Sequence, residues 1–159
     1  IRNQTEVLLR HIDEYQYDLV IGSSMGGLAA ANASSLREKS DFKLLLIAPA
    51  FGLSDSWENL RDEELDSWER MGVRRYRGFD LEIDLGWDFM EDAREMSWPT
   101  IRHQTTIIHG SKDDIVPLEV SQAVSEDSEL VDLIVIDDGH RMKRSLSYLS
   151  DVASSLVSS

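Results

Sequence analysis

The chain has 159 residues, of which 42% are hydrophobic, so the length predicts one domain over residues 1–159 with a moderate core. Its formal net charge is −14, from 30 acidic and 16 basic residues, which disfavours nucleic acid and anionic lipid surfaces as partners. No apolar run approaches the roughly 18 residues of a membrane span, and the absence of cysteine excludes disulfide and thiolate chemistry and favours a cytoplasmic location.

The first elements in chain order are a helical pattern over 3–15 and an apolar strand over 18–22. The strand runs into Gly22-Ser23-Ser24-Met25-Gly26, which fits the G-x-S-x-G pattern of a strained strand-to-helix turn that exposes a serine. Ser24 holds the serine position, and we expect glycine on both sides because larger side chains would collide there. Ser24 is therefore the predicted nucleophile. The Met25 backbone N–H, which opens a helical pattern over 25–39, is the predicted oxyanion donor.

Apolar runs at 42–49 and 105–110 predict the next two strands, and the segment between them is far longer than a usual crossover. Its patterns predict a helix over 53–72 that ends in glycine, a hairpin over 73–86 and a helix over 87–96. We therefore expect a small cap insertion over about 53–100, between the second and third strands.

The expected insertion contains all four tryptophans of the chain, at positions 57, 68, 87 and 98. These side chains fit either a satellite core of the insertion or a cap that lines an acyl or aryl pocket. The run Arg74-Arg75-Tyr76-Arg77 also has two interpretations, which are attraction of an anionic substrate group and pairing with the abundant surface carboxylates.

Candidates for a base and an acid follow the last two strands. A serine hydroxyl needs a base to take its proton, and the base needs a carboxylate to hold its tautomer. Asp113 and Asp114 follow the strand at 105–110, and His140 follows an apolar strand at 130–138. Because the carboxyl ends of parallel strands open on one side of a sheet, we expect these groups to meet Ser24. Asp113 is preferred as the acid, since a neighbouring aspartate is placed to cap the next helix.

The remaining patterns complete the predicted fold. Helical spacing covers 117–127 and 143–157, so strands and helices alternate, and the nearly continuous apolar runs indicate strands covered on both faces. The sequence therefore predicts an α/β fold with a mostly parallel sheet flanked by helices. His109 ends a strand and is interpreted as structural. We expect no metal or cofactor, because no metal-ligand spacing, phosphate loop or dinucleotide glycine pattern is found.

Several motifs in this order resemble the YqiA/YcfP-like group of small α/β-hydrolase-fold esterases. They are VIGSSMGGLAA (20–30), LLIAPAF (45–51), FMEDAR (89–94), IIHGSKDDIVP (107–117) and IDDGH (136–140). The likeness covers most of residues 18–158. It implies hydrolysis of small-molecule carboxylic esters or thioesters, without a cofactor, by a Ser24–His140–Asp113 triad and an acyl-enzyme intermediate.

The sequence departs from the resemblance in one respect. Members usually have an HGF-like loop upstream of the nucleophile whose N–H completes the oxyanion hole, and no such loop precedes Ser24 here. We expect an N-terminal portion, with one or more strands and this loop, to precede Ile1. Two functions are consistent with the sequence: a serine esterase that prefers short to medium neutral acyl groups, and a hydrolase-fold binding or regulatory protein with little activity.

Overall fold

A computed structural model of the chain describes residues 1–58, 60–78 and 81–158. Its helices are α1 (Arg2–Glu14), α2 (Met25–Leu36), α3 (Leu53–Glu58), α4 (Asp62–Met71), α5 (Trp87–Met96), α6 (Leu118–Glu126) and α7 (Leu146–Ser158). Its strands are β1 (Leu19–Ser23), β2 (Lys43–Ile47), β3 (Val73–Gly78), β4 (Leu81–Gly86), β5 (Thr105–Gly110) and β6 (Val131–Ile136). None of these helices is long and apolar enough to cross a bilayer.

Four strands form one parallel sheet in the order β1-β2-β5-β6. The centre of the core is β2, where Leu44, Leu45 and Leu46 are at most 1% exposed, so both faces of this strand are covered. The prediction of an α/β fold with a parallel sheet is therefore confirmed. The prediction that the strands are covered on both faces was wrong for the two outer strands of the sheet. The described helices leave Ile21 of β1 and Val135 of β6 about half exposed.

Helix α2 packs closely on β1 and β2 because its buried side chains are small. Ala29, Ala30, Ala31 and Ala33 are at most 4% exposed. The one long polar side chain among them, Asn32, is satisfied by donating to the carbonyls of Leu28 and Met96, at 2.9 Å each. The second of these bonds fixes the end of α5 against α2. The segment between β2 and β5 is thereby anchored beside the helix that follows Ser24.

The segment between β2 and β5 consists of α3, α4, the β3–β4 hairpin and α5. The predicted hairpin is confirmed, and its residues 79 and 80 lie outside the described residues. The single helix predicted over 53–72 was wrong, because the chain forms two helices there. Arg61 has an extended backbone (φ −60°, ψ 141°), and the acidic residues Asp62, Glu63 and Glu64 stabilise a new helix N-terminus through the helix dipole.

Aromatic rings hold this segment together. Trp57 lies 5.4 Å from Trp68, 5.5 Å from Tyr76 and 5.7 Å from Phe89, and Trp68 meets Trp87 edge-on at 5.5 Å. The rings thus contact one another, and Trp68 is only 2% exposed. This arrangement favours the satellite-core interpretation of these tryptophans. The fourth tryptophan of the segment, at position 98, is outside the cluster and 49% exposed.

The arginines of the hairpin pair with carboxylates, as the second interpretation of this run expected. Arg75 contacts both Glu82 and Asp84, at 3.1 and 2.9 Å, and Arg77 contacts Glu82 at 2.8 Å. These pairs are exposed, so each contributes little to stability. Arg75 and Arg77 are therefore accounted for by charge pairing across the hairpin, and Arg74 lies 3.7 Å from Glu64 of α4.

The aromatic cluster predicts a difference between two tryptophans. Trp68→Ala should lower the free energy of unfolding by about 3–5 kcal/mol, because it removes a large buried side chain and leaves a cavity. Trp98→Ala is the matched control and should cost clearly less, since half of that side chain is already in water. Urea unfolding followed by far-UV circular dichroism measures both variants. Equal losses would contradict a buried core around Trp68.

Candidate active site

Ser24 lies between β1 and α2 with a strained backbone, at φ 50° and ψ −118°. Such a conformation costs a non-glycine residue about 1–3 kcal/mol and persists only where neighbours hold it. Here the Ser24 N–H donates to the Ile47 carbonyl at 2.9 Å. The Ser24 carbonyl accepts from the N–H groups of Leu28 and Ala50, at 3.1 Å each. The end of β2 and the first turn of α2 thereby fix the turn that carries the Ser24 hydroxyl.

The glycines around Ser24 differ in what they allow. A Cβ at Gly22 would lie 2.7 Å from the Gly26 carbonyl carbon and 2.8 Å from the Gly27 Cα, which is too close for any side chain. A Cβ at Gly27 would lie 3.0 Å from the Pro49 Cβ, so this position is also tight. A Cβ at Gly26 would meet no described atom within 4 Å. We expected that any side chain in place of either glycine of the motif would collide with its surroundings, and this expectation was wrong for Gly26. The positions without room for a side chain are Gly22 and Gly27, and Gly27 packs on Pro49.

The Met25 N–H belongs to the first turn of α2, and Ser24 is the N-cap residue of that helix. The first N–H groups of a helix have no partner within the helix, and they carry the positive end of the helix dipole. The Met25 N–H thus follows Ser24 directly in the chain and lies at a helix end that favours an anion. Its role as an oxyanion donor stays a prediction.

Asp113 lies on the loop after β5, and its side chain is completely buried. Its Oδ1 accepts the backbone N–H groups of Ile115 and Val116, at 2.9 Å each. Asp114 is exposed, and α6 begins at Leu118 without a side-chain cap. The expectation that Asp114 caps this helix was therefore wrong, since Asp113 itself binds the N–H groups of the turn. Asp113 is the carboxylate that the fold directs inward.

His140 connects the other two predicted residues. Its Nδ1 lies 2.8 Å from Asp113 Oδ2, and its Nε2 lies 3.1 Å from Ser24 Oγ. A carboxylate only accepts hydrogen bonds, so Nδ1 carries the proton and donates to Asp113. Nε2 then carries the lone pair that accepts a hydrogen bond from the Ser24 hydroxyl. The structure brings Ser24, His140 and Asp113 together in one hydrogen-bonded chain, at the carboxyl edge of the parallel sheet.

Two loops at this edge hold His140 and Asp113 at a fixed separation. Ser111 N–H donates to the Ile136 carbonyl at 2.8 Å, and Lys112 N–H donates to the Asp138 carbonyl at 3.0 Å. The close approach requires glycine at the end of β5, because a Cβ at Gly110 would lie 2.8 Å from the Asp138 carbonyl carbon. An ion pair between Lys112 and Asp137, at 2.5 Å, joins the same two loops on the surface. The separation of acid and base is therefore set mainly by backbone contacts.

Asp138 braces the loop that carries His140. Its Oδ1 accepts the Gly139 N–H at 2.8 Å, and its Oδ2 accepts the Arg144 N–H and the Ser145 hydroxyl at 2.8 and 2.9 Å. Burial by itself raises the pKa of Asp138, but these hydrogen bonds and the Arg144 charge outweigh it and lower the pKa below its ordinary value. Asp138 thus closes residues 139–145 into a compact turn.

Sequence reasoning did not identify Asp138 or the residues that hold Ser24. The signal for Asp138 was available, because an aspartate followed by glycine and later by serine is typical of a side-chain-stabilised turn. The contacts of Ile47 and Ala50 with Ser24 are made by backbone atoms and have no sequence signal. Among the described residues, no group of three or more acidic or histidine side chains is arranged to hold a metal ion.

The sequence was compared with known protein families and with curated proteins. The family described as "Uncharacterised protein family (UPF0227)" matches residues 1–156. No curated protein matches the sequence significantly.

Solved structures with a similar fold include several hydrolases. Alpha/beta hydrolase domain-containing protein 10 from mouse has a TM-score of 0.80 and 24% identity, over 97% of this chain and 68% of the mouse chain. An esterase from Exiguobacterium antarcticum has a TM-score of 0.59 and 18% identity, over 96% of this chain and 70% of its own. A monoacylglycerol lipase from Paleococcus ferrophilus has a TM-score of 0.64 and 15% identity, over 97% and 74%. The chain therefore has the α/β-hydrolase fold.

The glycine contacts predict opposite outcomes for two alanine substitutions. Gly22→Ala should lower the free energy of unfolding by about 1–3 kcal/mol or more, because its Cβ overlaps backbone atoms that cannot move independently. Gly26→Ala is the matched control and should leave the urea midpoint unchanged or slightly higher, since its Cβ has open space and alanine favours a helix. A stable Gly22→Ala variant would contradict the close approach of β1 to α2.

The lowered pKa of Asp138 predicts a pH-dependent contribution to stability. A carboxylate with a depressed pKa in the folded state stabilises the fold above its unfolded pKa, and this contribution is lost as the pH falls. The wild type should therefore exceed Asp138→Asn in urea stability at pH 7, and the difference should shrink as the pH falls from about 5 toward 3. Asp132→Asn, at an exposed carboxylate of β6, is the control. A difference that is the same at pH 7 and pH 3.5 would contradict the assignment.

Proposed function

The chain belongs to the UPF0227 family and has the α/β-hydrolase fold, and we propose that it is a serine hydrolase of the carboxylesterase type. The observation that carries the proposal is the hydrogen-bonded chain from Ser24 through His140 to the buried carboxylate of Asp113. Those residue types in that geometry activate a serine hydroxyl. The strained backbone of Ser24 agrees with the role of a nucleophile held above the sheet.

The proposed reaction proceeds in two steps. His140 Nε2 takes the proton of the Ser24 hydroxyl as Oγ attacks the ester carbonyl, and the charge that develops on the carbonyl oxygen is stabilised by the Met25 N–H. The protonated His140 then gives its proton to the departing alcohol, which leaves an acyl group on Ser24. A water molecule deprotonated by His140 attacks this acyl group and releases the carboxylic acid, so that Ser24 regains its proton. Asp113 holds the tautomer of His140 throughout.

The proposed substrates are small carboxylic esters, or thioesters, with short to medium neutral acyl groups. The names of the esterase and monoacylglycerol lipase with similar folds agree with this class. Pairing of Arg75 and Arg77 with hairpin carboxylates removes the main reason to expect an anionic acyl group. We propose the segment between β2 and β5 as a small cap, and the chain as a cytoplasmic protein.

Covalent labelling with a fluorophosphonate tests the proposed nucleophile, because this probe reacts with an activated serine. The wild type and Ser23→Ala should be labelled, and Ser24→Ala should not. His140→Ala should lose nearly all labelling, since the residues of a triad act as a unit. Asp113→Asn should reduce labelling strongly, whereas Asp114→Asn should reduce it only slightly because its side chain is exposed. Hydrolysis of p-nitrophenyl acetate, butyrate and palmitate measures turnover in parallel, with palmitate expected to be the poorest substrate.

The labelling panel also separates the two candidate functions. Ser23 is the matched control, since it adjoins Ser24 and is exposed but has no place in the hydrogen-bonded chain. Full labelling of Ser24→Ala would contradict the catalytic assignment. A folded wild type that neither reacts with the probe nor hydrolyses any of the three esters would favour a hydrolase-fold binding or regulatory protein.

A further inference from the structure

His109 lies at the end of β5, directly beside the buried carboxylate of Asp113. Both side chains are completely inaccessible to solvent. The His109 Nε2 is 3.3 Å from Asp113 Oδ2, and this is the same oxygen that accepts from His140 Nδ1 at 2.8 Å. The interpretation of His109 as a purely structural residue did not include this contact. Two imidazoles therefore approach one carboxylate oxygen from within the fold.

The surroundings of His109 determine which ring nitrogen carries the proton. Nε2 lies 3.0 Å from the Val116 carbonyl oxygen as well as close to Asp113 Oδ2, and both oxygens are hydrogen-bond acceptors. A lone pair on Nε2 would face two acceptors, so Nε2 carries the proton. Nδ1 lies 2.7 Å from Ser121 Oγ and accepts from that hydroxyl. Ser121, which is fully buried in α6, thus selects the tautomer that places an N–H, rather than a lone pair, beside Asp113.

A second buried histidine shows what the same contacts do without a carboxylate. The Nδ1 of His103 lies 2.7 Å from Ser34 Oγ, and its Nε2 lies 2.8 Å from the Ser40 carbonyl oxygen. The described contacts of His103 include a stacked Phe42 ring but no acidic group. The serine and carbonyl contacts alone therefore account for a buried structural histidine. The approach to Asp113 is what distinguishes His109.

We propose that His109 is a positioning residue for the serine hydrolase proposed above, on which this inference rests. Each carboxylate oxygen offers two acceptor sites, and the N–H groups of Ile115 and Val116 already bind Oδ1. On Oδ2, the His140 N–H binds at 2.8 Å, and the His109 N–H, whose hydrogen bond goes to the Val116 carbonyl, lies 3.3 Å away. This close, solvent-free approach of a polar N–H offsets part of the cost of burying the Asp113 charge and favours one orientation of the carboxyl group. The chain of polar contacts then extends from Ser121 through His109, Asp113 and His140 to Ser24.

Two substitutions of His109 separate positioning from packing. His109→Leu keeps an apolar side chain of similar size but removes the donor, whereas His109→Gln places an amide N–H close to the position of Nε2. We expect the leucine variant to lower kcat on p-nitrophenyl butyrate by about 10- to 100-fold with little change in KM, the range found when the hydrogen-bond partner of a metal-bound histidine is removed. The glutamine variant should recover most of this loss.

The low-field proton NMR signal of the His140 Nδ1–H provides a readout that needs no substrate. This signal reports on the hydrogen bond to Asp113, so it should move in His109→Leu and return toward the wild-type position in His109→Gln. Ser121→Ala should move it in the same direction by a smaller amount, and this milder variant decides the matter where the leucine variant fails to fold. His103→Leu is the matched control and should lower stability without moving the signal.

The proposal is overturned if a folded His109→Leu variant keeps the wild-type kcat and the wild-type NMR signal. If His109→Leu does not fold, the same result for Ser121→Ala overturns the proposal. It is also overturned where glutamine behaves as leucine does, or where His103→Leu moves the signal equally. Failure of the proposed function is a separate result: an inactive wild type would contradict the esterase, while the NMR comparison would still decide whether His109 holds Asp113.

Discussion

The rest of this site depends on the burial of the Asp113 carboxylate. A charged group without solvent contact is tolerated only where hydrogen bonds replace the lost water, and Asp113 has donors on both of its oxygens. Two of these donors come from its own turn and one from the His140 loop. Because the carboxylate needs all of them, the loops after β5 and β6 are constrained relative to each other. The geometry of the site is in this sense a consequence of satisfying one buried charge.

The loop after β6 is constrained a second time from its other side. Asp138 accepts the Gly139 and Arg144 N–H groups and the Ser145 hydroxyl, which closes the turn that presents His140. The contact between the Lys112 N–H and the Asp138 carbonyl then joins this turn to the loop of Asp113. His140 is therefore held at both ends by groups that take no part in the proposed chemistry. Such preorganisation lowers the cost of orienting the reacting groups.

The strain at Ser24 is balanced in a similar way by its neighbours. The positive φ angle is maintained by backbone hydrogen bonds with Ile47, Leu28 and Ala50, which lie at the end of β2, in α2 and in the loop after β2. Burial of β2 on both faces keeps those elements in place, since Leu44, Leu45 and Leu46 have almost no exposed surface. The segment between β2 and β5 has its own cluster of aromatic rings, and Ala93 and Met96 of α5 join this segment to the main core.

The sequence alone determined the alternation of strands and helices, the hairpin and the three residues that meet at the sheet edge. Those features follow from local periodicity and from the rule that parallel strands open on one side. The break before α4 and the exposed faces of β1 and β6 were decided by tertiary packing, which a local pattern does not contain. The same holds for the choice between Asp113 and Asp114, which depends on which carboxylate the folded loop directs toward His140. His109 and Asp113 are close in sequence, so their contact is local. His140 follows Asp113 by 27 residues, and only the folded sheet brings both imidazoles to one oxygen of Asp113.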